Sequence, residues 1–147
     1  MTAASIKPPM VAPPGRIGIV SRSPALASEL GRQLPKFGLG ASKLIDLSAG
    51  TQPGLTHLGL LEMFNQHWGT DAVLLLGAID AREEKACANW IAQHMRKPVI
   101  GFIDACDAAA TAQCELLRAC GVHISPDSNG LAELTASLVE LPWLPFD

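Results

Sequence analysis

The sequence has no tyrosine, and aromatic residues make up only 5% of its 147 positions. Charged residues are also scarce, at 17%, and the formal net charge is −3. Because there is no basic excess, neither a nucleic acid nor an anionic membrane surface is predicted as a partner. The longest apolar runs, such as Val73–Leu76, fall far short of the roughly 20 residues that a membrane-spanning helix needs. The N-terminus also lacks the pattern of a secretory signal, so we expect a cytoplasmic protein.

A cysteine pattern typical of a metal site is missing as well. The four cysteines form no C-x-x-C pair, and none shares a zinc-like spacing with a histidine. We therefore expect free thiols in a reducing compartment, and we predict neither a metal nor a cofactor. The cysteines are Cys87, Cys106, Cys114 and Cys120.

Apolar residues are abundant, at 48% of the chain, which excludes disorder as its main state. A chain of this length has enough surface to bury for one packed domain, which we predict over residues 16–141. Residues 1–15 contain four of the prolines, which lack amide donors, and they predict an extended tail. Residues 142–147 are predicted to form a second, short tail.

Within residues 16–141 the pattern alternates between strand and helix. The apolar run inside Asp71–Gly77 is typical of a central strand that is covered on both faces. The alternation predicts an α/β fold: a single doubly wound five-stranded parallel sheet of flavodoxin-like order 2-1-3-4-5, with helices on both faces. The predicted strands are Ile17–Val20, Lys43–Leu47, Asp71–Gly77, Val99–Ile103 and Val122–Ser125. The first predicted helix runs from Pro24 through Leu34, with Pro35 in its last turn and Gly38 and Gly40 at its exit. The others are predicted over residues 58–64, 83–95, 108–120 and 130–141.

Three helix ends carry recognisable signals. Ser23 is predicted to cap the first helix, with Pro24 at its first position. Gly121 is predicted to end the fourth helix in a left-handed conformation. Asp127 or Ser128 is predicted to cap the last helix.

The segment after the first strand is the best candidate for binding an anion. Ser21, Arg22 and Ser23 place two hydroxyls and a guanidinium beside a helix N-terminus, where unpaired amides favour phosphate. A plainer interpretation stays open, in which Ser23 only caps its helix and Arg22 is solvated. Pro24 supplies no amide, which weakens the phosphate interpretation.

The later strand ends are acidic. Asp80, Asp104 and Asp107 follow strands three and four, and Asp127 follows strand five. Such carboxylates can bind Mg²⁺ or share a proton, or they can serve only as loop and cap residues. A phospho-receiver site is rejected, because it needs an acidic pair after strand one and a lysine after strand five. A flavin site is not favoured either, because no aromatic side chain is clearly placed at a strand end.

The histidines receive no catalytic role from the sequence. His57, His67 and His94 fall in or beside predicted helices, and His123 falls in the last predicted strand. None is spaced to pair with an obvious nucleophile.

Five motifs, in order along the chain, resemble the second, flavodoxin-like ligase domain of the succinyl-CoA synthetase α subunit. The first is similar to the family's Pro-Gly-Lys/Arg-Val/Ile-Gly-Ile-Val-Ser-Arg-Ser start. The resemblance implies an enzyme that makes an acyl-CoA from an acid, CoA and a nucleoside triphosphate through a phosphohistidine held between helix N-termini of two subunits. The motifs lie at Gly15–Ser23, Phe37–Gly40, Leu60–Phe64, Lys97–Ile103 and Ala119–Val122.

The chain departs from this family at the positions that carry its chemistry. The family's CoA-binding Rossmann domain has no counterpart here. Its Gly-His-Ala-Gly-Ala loop after strand four, which carries the histidine, is replaced by Asp104–Asp107 and then alanines. Ala78 stands where the family has the glutamate that supports the phosphohistidine, and Pro24-Ala25 replace the Gly-Thr that follows its phosphate-binding serine.

These departures predict a stand-alone, non-catalytic domain that acts as a protein-interaction or regulatory module, bound to a partner protein or to itself. Loss of the nucleophile removes the covalent step, whereas the α/β core survives the loss of a loop. Two alternatives stay open. One is a truncated subunit of an acyl-CoA ligase that needs partner chains for activity. The other is a sensor that binds phosphate or a CoA ester at Ser21–Ser23.

Overall fold

The computed structural model describes residues 15–48, 55–104 and 107–139. Five parallel strands form one sheet in the order β2-β1-β3-β4-β5. The predicted fold class and strand order 2-1-3-4-5 are therefore confirmed. The strands are β1 (Ile17–Ser21), β2 (Ala41–Asp46), β3 (Ala72–Leu76), β4 (Val99–Phe102) and β5 (His123–Ile124).

Helices cover both faces of the sheet, and each face has its own hydrophobic core. On one face, Leu30 of α1 and Leu131 of α5 pack against Ile19 and Leu74. The opposite face packs α2, α3 and α4 against the alternate strand residues, which include Val73. The helices are α1 (Pro24–Gln33), α2 (His57–Gln66), α3 (Glu84–His94), α4 (Ala108–Ala119) and α5 (Leu131–Leu138). None of these described helices is long and apolar enough to cross a bilayer.

The two central strands explain the continuous apolar runs in the sequence. All five residues of β1 and all five of β3 are buried, because both strands are paired on both edges and covered on both faces. Gly18 of β1 faces Phe64 of α2 so closely that an added Cβ would lie 2.6 Å from the ring. A glycine at this position therefore lets α2 approach the centre of the sheet.

The ends of the elements differ from the sequence prediction in places. β2 begins two residues earlier than predicted, at Ala41, and β5 is confined to two residues. The first helix stops at Gln33 and continues as a 3₁₀ turn over Leu34–Phe37, because Pro35 has no amide to continue the α-helical bonding. Gly38 then leaves the turn at a φ of 76°, a region that suits glycine.

Two of the predicted helix ends are confirmed, and one is wrong. The Ser23 hydroxyl accepts a hydrogen bond from the Leu26 amide, with Pro24 as the first helical residue. Gly121 follows α4 at a φ of 103°. The prediction that Asp127 or Ser128 caps the last helix is wrong, because Gly130 is its N-cap and makes no side-chain bond. Asp127 instead accepts a hydrogen bond from the Gly130 amide at 2.9 Å, within the preceding turn.

Several predictions fall outside the described residues. They are the tail at residues 1–14, the loop residues 49–53, Cys106, and the chain after residue 139, which includes the predicted helix end and the tail at 142–147. Three free cysteines lie within the described residues: Cys87 is buried, and Cys114 and Cys120 are partly buried.

Candidate functional site

The carboxyl ends of the strands form the edge on which the candidate residues meet. Ser21 at the end of β1 lies beside Leu76 at the end of β3, and the Arg22 amide donates to the Leu76 carbonyl at 2.9 Å. The chain leaves β1 toward β2 on one side, whereas β3 pairs on the other side. The crevice between β1 and β3 is therefore the switch point at which open α/β sheets place their ligands.

The predicted anion-binding segment lies at this crevice, and its two serines are engaged within the chain. The Ser21 hydroxyl is buried, accepts from the Ser23 amide at 2.9 Å and donates to the Ser23 carbonyl at 2.7 Å. The Ser23 hydroxyl caps α1 through the Leu26 amide at 3.3 Å. Since Pro24 has no amide, the start of α1 has fewer donors for an anion than an ordinary helix start.

Arg22 is the exposed cation of this segment. Its Nη1 donates to the Ala78 carbonyl at 3.3 Å, so the side chain lies across the β1–β3 crevice. Its Cβ also lies close to Gly77, where an added Cβ would meet it at 3.2 Å. The structure thus brings Ser21, Arg22 and Ser23 together at the crevice, with the guanidinium on its outer side.

A cavity of about 400 Å³ opens beside Ser21, between α1 and β2. Pro24, Ala27 and Leu44 give it an apolar wall. Asp46 adds a carboxylate to the same cavity, which disfavours a phosphate there.

The acidic strand ends are engaged in local contacts. Both carboxylate oxygens of Asp80 accept from the Arg82 guanidinium, at 3.2 and 3.0 Å, and this pairing holds the pKa of Asp80 well below its usual value. Asp107 caps α4 by accepting from the Ala110 amide at 2.8 Å, whereas Asp104 is exposed. Within residues 15–48, 55–104 and 107–139, no three His, Cys, Asp or Glu side chains are grouped closely enough to hold a metal ion.

The loop after β3 is fixed by a glutamine that sequence reasoning missed. The Gln113 amide accepts from the Ile79 N–H at 2.8 Å and donates to the Ile79 carbonyl at 2.9 Å. It also donates to Glu84 at 3.0 Å. Gln113 is buried on α4, 34 residues from Ile79, and no sequence motif signals this contact.

A buried histidine and a glutamate also meet at this edge, and sequence reasoning missed them too. His57 is the first residue of α2 and is only 2% exposed. Its Nδ1 lies 3.8 Å from Oε2 of Glu83, and neither atom has a hydrogen-bond partner in the part of the chain that the structure describes. Burial lowers the pKa of the His57 imidazole, an effect that outweighs the opposing attraction of Glu83. Burial also raises the pKa of the Cys87 thiol to about 12, with a further contribution from Glu83.

At the opposite, amino-terminal edge, the turn after α2 presents an exposed indole. Trp68 is 85% exposed, while its carbonyl accepts from Arg16 Nη2 at 2.8 Å. Arg16 also forms an ion pair with Asp71, at 2.6 Å. The Lys97 ammonium donates to the neighbouring His67 carbonyl at 2.6 Å. The backbone of the turn is therefore held from two directions while its tryptophan lies in solvent.

Comparison with known sequences identifies the relatives of this chain. It is 32% identical over 145 residues to the succinate–CoA ligase (ADP-forming) subunit alpha of Aquifex aeolicus, a match that covers 86% of this chain and 48% of that relative. This chain is related to the α subunits of succinate–CoA ligases. The predicted resemblance to the α subunit of this family is thereby confirmed. A malate–CoA ligase subunit alpha from Methylorubrum extorquens is 28% identical over 144 residues, with 86% of this chain and 49% of that relative covered. The chain thus spans about half the length of the curated relatives it matches.

Solved structures give the same fold at low sequence identity. An ATP citrate lyase of Methanosaeta concilii superposes with a TM-score of 0.69 at 14% identity, over 86% of this chain and 24% of that one. A dinucleotide-forming acetyl-coenzyme A synthetase of Ca. Korarchaeum cryptofilum gives a TM-score of 0.67 at 16% identity, over 85% of this chain and 30% of that one. No protein-family model matches the sequence. Together, the sequence relatives and the shared fold indicate that the chain carries a CoA-ligase α-subunit-like domain.

Proposed function

We propose that this succinate–CoA ligase-like domain is a non-catalytic, cytoplasmic module that binds a partner protein. The observation that carries the proposal is Trp68, an 85% exposed indole on a turn held by Arg16 and Lys97. Large exposed aromatic side chains on a fixed backbone are the residues that dominate protein interfaces, because little conformational entropy is lost when they bind. The relatives are themselves named as subunits, which supports a protein partner.

The residues at the carboxyl edge of the sheet support the non-catalytic part of the proposal. In the family that the motifs resemble, a histidine between strand four and the next helix carries the phosphoryl group. Here β4 ends at Phe102 and α4 begins at Ala108, and the five residues between them include no histidine. Ala78 provides no carboxylate to support an imidazole. Without a nucleophile, binding and positioning alone give no covalent phosphoryl transfer.

The interaction is tested with the full chain and the β subunit of the succinate–CoA ligase of the same cell. Sedimentation velocity is recorded for the chain alone and for the mixture. We expect a complex with the β subunit or a dimer of the chain, and we expect Trp68→Ala to weaken it by about tenfold or more, as at an interface hot spot. Leu44→Ala is the matched control, because Leu44 is an exposed apolar residue, at 46%, on β2. If the chain sediments as a monomer both alone and in the mixture with the β subunit, the proposal is contradicted.

A second candidate function is that of an acyl-CoA ligase subunit that is active only with partner chains. Its support is the relationship to ligase α subunits. The test adds nucleoside triphosphate labelled at the γ-phosphate, CoA and an acid substrate to the same mixture. We expect no acid-labile label on this chain. Labelled phosphate on any of its four histidines overturns the non-catalytic assignment.

A third candidate is a sensor of phosphate or a CoA ester at Ser21, Arg22 and Ser23. It is supported by the exposed Arg22 guanidinium at the switch point of the sheet. Phosphate at about 100 times its dissociation constant adds about 2.7 kcal/mol to the stability of the native state, which is readily visible as a higher melting temperature. Arg22→Ala should abolish that rise, whereas Arg32→Ala on α1 should keep it. No rise in the wild type at millimolar phosphate excludes this candidate.

A further inference from the structure

The His57–Glu83 pair has two polar atoms without partners in a buried position. His57 Nδ1 and Glu83 Oε2 are 3.8 Å apart, about 1 Å beyond an ordinary hydrogen bond, and both are shielded from solvent. Among the described residues, these two are the buried side-chain nitrogen and oxygen atoms that have no hydrogen-bond partner. An unpaired buried pair of this kind calls for a physical explanation.

Glu83 connects the starts of two helices. The other carboxylate oxygen of Glu83, Oε1, accepts from the Leu58 amide at 3.1 Å, in the first turn of α2. Glu83 is also the N-cap residue of α3, and its carbonyl accepts from the Cys87 amide at 2.8 Å. One side chain thus links the first turn of α2 to the first turn of α3 at the carboxyl edge of the sheet.

The surroundings of His57 oppose a positive charge more than they favour it. The ring is buried at a helix N-terminus, where the helix dipole disfavours a cation. The charged groups that act on it from the neighbouring elements are Glu83 before α3, Arg22 after β1 and Asp80 after β3. Arg22 adds repulsion, and the Asp80 carboxylate is already paired with Arg82. Residues 49–54, which precede this part of the chain, contain no ionisable side chain.

We propose that the start of α2 is a proton-operated clasp built around the buried His57. At neutral pH the hydrogen bond from the Leu58 amide to Glu83 holds the first turn of α2 against the start of α3, and protonation of His57 in acid releases it. In the closed clasp the imidazole is neutral. When the turn opens, the ring reaches water and takes up a proton, so acid favours the open form. The clasp would couple pH to the exposure of the carboxyl edge of the sheet.

The direction and size of the pH effect on the open population follow from proton linkage. The pKa of His57 is lower in the closed form than its ordinary value of 6.5, which the open form approaches. The open form therefore binds the proton more readily, and the population of the closed form decreases as pH falls below about 6.5. One proton taken up by the open form alone raises the open population by as much as about tenfold between pH 7.5 and 5.5.

Nuclear magnetic resonance on the full chain tests the clasp directly. We expect the His57 ring to titrate with a midpoint below 6.5, and we expect exchange of the Leu58 amide, relative to its intrinsic rate, to rise by as much as about tenfold between pH 7.5 and 5.5. A midpoint at or above 6.5, or a relative exchange rate of Leu58 that does not change with pH, overturns the proposal.

Two variants separate the clasp from general acid sensitivity. Glu83→Gln keeps an oxygen for the Leu58 amide but removes the negative charge, so the midpoint of His57 should move to lower pH. A midpoint that stays in place or rises shows that Glu83 is not its electrostatic partner. The matched control is His123→Asn at the exposed start of β5, which should leave the pH dependence of Leu58 exchange as in the wild type. Loss of the dependence in this control also overturns the clasp.

Discussion

Replacing Gly18 by alanine should destabilise the protein at the centre of its sheet. The added Cβ would lie 2.6 Å from Cδ1 and Cε1 of Phe64 and 2.9 Å from its Cζ. Real Cβ atoms essentially never approach a neighbour so closely, so either β1 or the ring must move. Neither can move easily, because β1 is paired on both edges and the Phe64 side chain is fully buried.

The change in the free energy of unfolding caused by Gly18→Ala combines two opposing effects. Overpacking of a core by a methyl group costs about 1–3 kcal/mol, whereas alanine in place of glycine in a strand recovers about 0.5–1 kcal/mol of backbone entropy. The central values of the two ranges leave a net loss of about 1 kcal/mol in the free energy of unfolding, and the largest difference between them is about 2.5 kcal/mol. At a slope of about 2 kcal/mol per molar urea, the midpoint should fall by about 0.6 M, and by no more than about 1.2 M.

Urea unfolding of the full chain at pH 7.5, followed by circular dichroism, measures this loss. Gly31→Ala is the matched control, because an added Cβ on this residue of α1 meets nothing within 4 Å. That variant should gain about 0.5–1 kcal/mol. In a Phe64→Leu background the cost of Gly18→Ala should shrink, since the smaller side chain leaves room for the methyl group. Gly18→Ala as stable as the wild type, or an equal cost in both backgrounds, would refute the reasoning.

Three further predictions concern single contacts. Gln113→Leu should lower the free energy of unfolding by about 2 kcal/mol, because it leaves the buried Ile79 N–H and carbonyl without partners; an unchanged urea midpoint would contradict this. Asp107→Ala removes the cap of α4 and should cost about 1 kcal/mol by the same assay, whereas Asp107→Asn should restore most of it. The Cys87 thiol, buried and with its pKa raised to about 12, should resist iodoacetamide at pH 8 in the native state and react in urea, as peptide mass spectrometry will show.

The elements that the sequence predicted well are those with strong local signals. β3 is fully buried, and its run of apolar residues reflects burial on both faces. Ser23 and Pro24 mark the start of α1 within two adjacent residues, and Gly121 marks the end of α4 through the conformation that glycine tolerates. The alternation of such strands and helices predicted a parallel sheet, and the predicted strand order was the flavodoxin-like order expected for five strands.

The features that the sequence did not reveal depend on contacts between distant residues. His57 and Glu83 are separated by 26 positions and Gln113 and Ile79 by 34, and glutamate and glutamine are residue types that mostly lie on exposed surfaces. Only the packed sheet determines which of them become buried. The short β5 and the cap of α5 were missed for a related reason, since Asp127 has the residue type of a helix cap but is used in the turn before α5.

The position of β1 in the sheet has a consequence for the newly made chain. β1 needs both β2 and β3 as neighbours, yet 30 residues separate the end of β2 at Asp46 from the end of β3 at Leu76. At the usual rate of translation, a ribosome takes about 2–6 s to add them. During that interval the edge of β1 that later pairs with β3 has no strand partner, so it is open to pairing with another chain.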